Sequence, residues 1–276
     1  MDRKLIDAYT RSLQLEEKCA GTIEKYTHDV QAFADWLGER EISKELTAEW
    51  KTHLVEHGYA PTTVNAMLSA LNSLLEFLGL HEYRVKFLKI QRRLFREPSR
   101  ELTRAEYETL LSRALQLGRE RLALLMETIC ATGIRVSELR YITVDAARRG
   151  KTEISMKGKI RVIMLPSKLC RKLLKYAKKQ DIDTGAIFIT RNGKEVSRRQ
   201  VWSELKELCK HTNVSPSKVF PHNLRHLFAR MFYKICKNIV QLADIMGHSS
   251  IETTRIYLIT SGTEHRRQLD RLGLVL

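Results

Sequence analysis

Pro221-His222-Asn223-Leu224-Arg225-His226 is the stretch from which the rest of this chain is best read. On a helix, His222 and Arg225 are three residues apart and share a face, as do His222 and His226 at four. A His-x-x-x-His pair can bind zinc. The metalloprotease pattern, however, needs a glutamate after the first histidine, and that place is held by Asn223. No third ligand stands out in the sequence, so zinc is the weaker reading. An imidazole beside a guanidinium suits a single phosphate group: one can move a proton and the other can hold charge.

Two further segments carry residues of the same kind. Downstream, Ile245-Met246-Gly247-His248 is followed nine residues later by Tyr257. A lone tyrosine at helical spacing is ordinarily a core or rim aromatic. Upstream, Ala131-Thr132-Gly133-Ile134-Arg135-Val136-Ser137-Glu138-Leu139 sets an arginine among apolar residues just after a glycine break. A charge held there needs an anionic partner. Either Glu138 supplies it in a structural ion pair, or a phosphate does. Between these clusters, Glu153–Met156 and Ile160–Leu165 read as two strands joined through Lys157-Gly158-Lys159.

Taken in order, Arg135, a hairpin lysine, His222-x-x-Arg225, Gly247-His248 and Tyr257 resemble the tyrosine recombinase family, the phage-integrase and Xer-like enzymes. The resemblance covers nearly the whole chain. It implies a mainly α fold with a small antiparallel β-sheet in the catalytic domain, the two domains forming a C-shaped DNA clamp. Residues 1–83 would be the helical core-binding (SAM-like) domain, 84–100 a basic linker, and 101–276 the catalytic domain with a C-terminal exchange tail. Tyr257 would be the nucleophile, and Arg135 and Arg225 would bracket the scissile phosphate. His222 and His248 would complete the phosphate shell, and Lys157 would protonate the leaving 5′ oxygen. Glu138 matches a position where the family often has a supporting acid. Lys157 and Lys159 flank Gly158, and period-two alternation puts both on one face of the hairpin; family register favours Lys157. One departure is Leu227, where the family commonly has a small hydroxyl residue, and a packing difference is expected there.

The chemistry agrees with these residue types. Attack on a phosphodiester loads negative charge onto the equatorial oxygens, which fixed guanidinium and imidazole donors stabilise in the transition state. A phenol, ordinarily of pKa ~10, attacks better as phenolate, which neighbouring cations favour. A lysine among other cations can give the departing alkoxide its proton. The energy of the broken bond stays in the 3′-phosphotyrosyl link, so ATP is not needed. The sequence has no phosphate-binding Gly-x-x-x-x-Gly-Lys-Ser/Thr loop, and no carboxylate cluster suggests a two-metal route. No cofactor and no metal are expected.

Composition points to the same partner. The chain carries 48 lysines and arginines against 32 acids, a net +16, with a pI near 9.7. That balance suits a polyanion. It is uneven, for residues 1–83 hold 8 basic and 14 acidic side chains, a net −6. Four helices are predicted there, the first around 2–18, then 22–38, one opening near Thr47 and one at Pro61 ending at Gly79. Their DNA contacts would come from a narrow polar face, including Lys51, Thr62, Thr63 and Asn65. The linker would add Arg92, Arg93 and Arg96 as a strap along a phosphate backbone, and the hairpin Lys159 and Arg161. Thr103-Arg104-Ala105-Glu106 has the spacing of a capping box, and 186–190 reads as a further short strand. Five single cysteines in helical patterns are expected to be small buried side chains, not disulfides or zinc ligands. No apolar run reaches membrane-spanning length and no export signal is read, so a cytoplasmic protein without a membrane partner is expected.

The resemblance implies double-stranded recombination sites as the DNA partner and a homo-oligomer, a tetramer in the synapse linked by tail exchange. Accessory proteins, the target sequence and the choice among integration, excision, inversion and dimer resolution stay open. Two other readings use the same fold: a type IB topoisomerase-like nicking and resealing enzyme, and a non-catalytic DNA-binding regulator.

Overall fold

The Asp2 side chain accepts a hydrogen bond from the Lys4 backbone N–H and starts α1 (Arg3–Leu15), which buries Ile6, Tyr9 and Leu13 along one stripe. α2 (Ala20–Leu37) ends at Gly38, whose φ of 62° only glycine adopts without strain. α3 (Lys44–Glu56) starts one turn earlier than the sequence suggests, capped by Ser43. Thr47 is instead a buried helical residue whose hydroxyl donates to the Tyr83 carbonyl at 2.8 Å. α4 (Pro61–Phe77) has proline at its first turn and buries Val64, Leu68, Leu71 and Leu75. With Phe33 and Trp50 these side chains make one apolar core. The computed structural model that gives this architecture describes residues 2–90, 98–156, 159–248, 250–258, 266–267 and 270–272.

The chain separates into two compact units, Met1–Arg92 and Arg93–Leu276. Two asparagines one heptad apart on α4 extend the first unit past residue 83. Asn72 pairs with both backbone groups of Val85, at 2.9 and 3.0 Å, and Asn65 with both of Leu88, at 2.7 and 2.9 Å. Val85 and Leu88 pack on the same core. The start of the stretch read as a linker is therefore bound into the first unit.

In the second unit, the Thr103–Glu106 capping box is present and opens α5 (Arg104–Gln116). α6 (Glu120–Thr132) is buried along most of its length and ends at Gly133 in the left-handed conformation. A 3-10 turn at Val136–Tyr141 leads to α7 (Val144–Arg149), then to β1 (Lys151–Met156) and β2 (Lys159–Met164), an antiparallel pair with Ile154 opposite Arg161. Ile154 and Ile163 face the core, while Ile160, Val162 and Met164 on the alternate face are exposed. Next come α8 (Ser167–Lys179), α9 (Arg198–Cys209), α10 (Pro221–Cys236), α11 (Ile239–Met246) and α12 (Ile251–Arg255). α6 lies along α10, Cys130 Sγ reaching the Leu224 carbonyl at 3.6 Å. Leu227, at the position where a packing difference was expected, is buried in this core.

Two expectations are corrected. Residues 186–190 form no named strand: Ala186 and Ile189 make single bridges to Thr143 and Glu195, and Ile187 and Phe188 are buried as loop residues. Only Cys170 and Cys209 of the five cysteines are buried; Cys130 is half-buried. Cys19 and Cys236 are exposed, because one sits at the N-cap of α2 and the other is the last residue of α10. Among the described residues, no helix is long and apolar enough to cross a membrane.

Candidate active site

Gly133 ends α6 with φ of 65°, and a Cβ there would overlap the Phe228 ring of α10. That close approach sets the turn carrying Arg135 against the helix carrying Arg225. Arg225 is 2% exposed. Its Nη1 donates to the Gly133 carbonyl at 2.5 Å and its Nη2 to the Met246 carbonyl at 2.6 Å, the last residue of α11. Nη2 also lies 3.0 Å from His248 Nε2. Burial, then the charge of Arg135, lowers the Arg225 pKa to about 10. It is a buried cation held by backbone carbonyls, with one face left for an anion.

Arg135 stands on the 3-10 turn behind Glu138. Glu138 Oε2 accepts from the Arg135 backbone N–H at 2.7 Å, and Oε1 accepts from Arg135 Nη1 at 2.9 Å. Arg135 Nη2 donates to the Gly247 carbonyl at 3.3 Å. Its side chain keeps 39% exposure, whereas Glu138 keeps 1%. The ion pair, one of the two alternatives posed by the sequence, is present, and it leaves part of the guanidinium lining the cavity.

Arg161 is a correction. The sequence placed it on the DNA-facing surface, but its Nη2 donates to Glu138 Oε2 at 2.6 Å and its Nη1 to the Ile245 carbonyl at 3.0 Å. A Cβ on Gly247 would meet it at 2.7 Å. Strand alternation turns residue 161 inward beside Ile163, so it braces the site from behind. Burial lowers its pKa, partly offset by Glu138.

Tyr257 is 4% exposed and packs on Ala229, Leu242 and Met246. Three imidazoles surround its ring: His226 at 4.2 Å, His248 at 5.5 Å with the planes nearly parallel, and His222 at 5.8 Å between centroids. Burial and the positive charge of Arg225 and Arg135 lower both the His222 and His248 pKa values, His248 to about 4. Both shifts favour the neutral imidazole over the imidazolium. Among the described residues, no three histidine, cysteine or carboxylate side chains could hold a metal ion.

Arg135, His222, Arg225, His248 and Tyr257 line a single cavity of about 560 Å³. Three guanidinium groups, Arg135, Arg161 and Arg225, surround one carboxylate, Glu138, so the local balance is strongly positive. Sequence reasoning missed four lining residues, Arg198, Trp202, Phe220 and Thr253. It also missed Thr254, which is buried with its hydroxyl 2.8 Å from His248 Nδ1. Nothing in the local pattern marks them, because they reach the cavity through the packing of α9, α12 and the start of α10.

Other expected site residues fare differently. Lys157 and the side chain of Lys159 lie outside the described residues, as do Arg92, Arg93 and Arg96. Thr62 and Thr63 are exposed in the first turn of α4. Lys51 Nζ donates to the Lys86 carbonyl at 2.8 Å, and the Asn65 amide is used on both backbone groups of Leu88. Asn65 thereby braces the first unit. The proposed exchange tail is described only at 266–267 and 270–272.

Residues 100–262 match the model of the phage integrase family, and residues 6–82 match its N-terminal SAM-like domain. The chain belongs to the phage integrase family, the tyrosine recombinases, enzymes that break and rejoin DNA. It is 29% identical to the tyrosine recombinase XerA of Thermococcus kodakarensis, over 99% of this chain and 96% of that protein. It is 26% identical to XerD of Vibrio cholerae, over 97% and 95%. Among solved structures, a lambda integrase dimer bound to a core site shares the fold with a TM-score of 0.73 at 18% identity, covering 93% of this chain and 94% of that one. XerH bound to its difH substrate does so with a TM-score of 0.70 at 20% identity, covering 90% and 78%.

Proposed function

We propose that this site-specific recombinase cuts one DNA strand by attack of the Tyr257 hydroxyl oxygen on a phosphorus held between Arg135 and Arg225, the phenol proton passing to the His222 imidazole. The new bond joins the tyrosine oxygen to the 3′ phosphate. The bond to the 5′ oxygen breaks, and that oxygen leaves with a proton from the hairpin lysine, Lys157 by family register. A 5′ hydroxyl from a partner strand then reverses the step, releasing the tyrosine. The observation that carries this reading is that Tyr257 and Arg225 line one cationic cavity together with Arg135, His222 and His248. It puts the nucleophile against the group that would hold the phosphate, both from one chain. His222 and His248 flank the same space.

The partner is double-stranded DNA. Lambda integrase and XerH were solved on their DNA sites, and the net charge of +16 suits a polyanion. A lambda integrase tetramer on a Holliday junction supports a tetrameric synapse for this chain as well. We assign the first unit a share of the DNA grip, through the exposed Thr62 and Thr63 of α4.

The test is a nicked suicide substrate carrying the recombination site, located by mapping covalently bound ends on DNA flanking the gene. Wild type should accumulate a protein–DNA adduct and give recombinant product from paired sites. Tyr257→Phe should bind the same DNA and form no adduct. An adduct with Tyr257→Phe would refute the assignment, and adducts without recombinants would favour a relaxing enzyme.

A further inference from the structure

α8 carries six cations and no acid along its length. Lys168, Arg171, Lys172, Lys175, Lys178 and Lys179 are all exposed, whereas Leu169, Cys170, Leu173 and Ala177 are buried. At about 3.6 residues per turn the six fall within about 120° of arc, and they extend over ~16 Å of helix axis. Glu127 pairs with Lys172 at 2.5 Å and Glu120 with Lys179 at 2.6 Å. Lys168, Arg171, Lys175 and Lys178 have no acid partner among the described residues. We propose that this face of α8 binds the phosphate backbone of duplex DNA flanking the stretch held at the active site. The assignment rests on duplex DNA as the partner but not on phosphotyrosyl chemistry.

Solvation alone does not explain this pattern. A surface helix ordinarily interleaves both signs, and like charges three or four residues apart destabilise it. α8 stacks such pairs, Lys168–Arg171, Arg171–Lys175 and Lys175–Lys178 among them. A polyanion removes that repulsion and gains from the counterions it releases. The helix is fixed well enough to present its charges: Leu169, Leu173 and Ala177 enter the core of the second unit, and the two ion pairs tie it to α6. The positive surface continues past the helix. The Leu165 N–H, two residues before α8, donates to the Gly150 carbonyl at 2.8 Å, which brings the exposed Arg149 and Lys151 near the Lys168 end. With Arg140 these two line a cavity of about 260 Å³ whose one acid is Glu153. No residue of α8 lines the active-site cavity, so its cations are left for a different stretch of phosphates. A row of ~16 Å suits a backbone that presents a phosphate about every 3.4 Å of rise on each strand. The acidic residues 1–83 of a second copy are a poorer match, since 8 basic side chains are mixed with their 14 acids.

The test compares full-length wild type with the quadruple variant Lys168→Gln/Arg171→Gln/Lys175→Gln/Lys178→Gln, and with the milder Arg171→Gln/Lys175→Gln, on two duplexes. The short duplex ends where nuclease protection by the quadruple variant ends; the long one carries about two further helical turns on each side. Wild type should bind the long duplex about tenfold more tightly than the short one, with a steeper dependence on salt. The quadruple variant should lose that advantage, and its salt slope on the long duplex should flatten by about 0.9 for each phosphate contact removed. On the short duplex its affinity and adduct formation should match wild type. The double variant should fall between the two. Equal affinity of wild type for both duplexes overturns the proposal, as does an equal loss by the quadruple variant on both, which would place α8 on the core site. Loss of self-association without DNA, with the flank advantage intact, also overturns it and assigns the face to a second copy. Should wild type form no adduct, the phosphotyrosyl reading fails while the binding comparison still decides the role of α8.

Discussion

Glu138 grips Arg135 at both ends: one carboxylate oxygen takes its backbone N–H at 2.7 Å, and the other takes its guanidinium at 2.9 Å. A side chain with 1% exposure thereby fixes both where the arginine begins and where its charge lies. The first oxygen also binds Arg161, which ties the hairpin to the same point.

Glu138→Gln should therefore be costly. Two arginines would lose their charged partner, one of them mostly buried, and removing one member of such a cluster costs about 3 kcal/mol. Denaturant unfolding should report that loss. Adduct formation should fall by about tenfold or more, because Arg135 is no longer held. A variant as stable and active as wild type would mean that Glu138 does not organise the pocket.

His248 titrates near 4 and His222 is shifted in the same direction, both below the ordinary value of about 6.5. Below that value the unfolded chain binds protons that the folded rings refuse. The resulting penalty is absent above about pH 6.5, grows as the pH falls, and is complete below the folded values. The melting temperature should thus drop between pH 7 and pH 5, and drop less in His248→Asn. An equal or steeper drop in the variant would mean that His248 does not carry the effect.

Gly133→Ala should lower stability by about 2 kcal/mol, combining the left-handed backbone with overlap on Phe228. Because the Gly133 carbonyl accepts from Arg225, adduct formation should fall more than DNA affinity does. The comparison of gel-shift and suicide-substrate assays checks this, and equal losses in both would argue for a global effect only.

Lys157→Ala should bind DNA and cleave slowly, and a 5′-bridging sulfur, a better leaving group, should restore much of the rate. If Lys159→Ala shows the rescue instead, the general acid moves by two residues while the role of Tyr257 is unaffected.

The sequence by itself determined most of the elements and the family to which the chain belongs. Local rules were sufficient where they act over a few residues. Thr103 and Glu106 cap a helix as their spacing requires, Gly38 and Gly133 end helices, and two runs of alternating residues pair as β1 and β2. The ordered set Arg135, His222, Arg225, His248 and Tyr257 was singled out as well, and the fold brings those side chains to one cavity. Local patterns misled where burial was decided at a distance. Thr47 caps nothing because Tyr83 needs its hydroxyl, and 186–190 lacks a partner strand. Only the tertiary structure turned Arg161 inward to Glu138, spent Asn65 on Leu88 and placed Thr254 behind His248. The physical reason is common to all three. A polar side chain's role is set by which donor or acceptor it meets on burial, and that partner lies 6 to 23 residues away in sequence, across separate elements that only packing brings together.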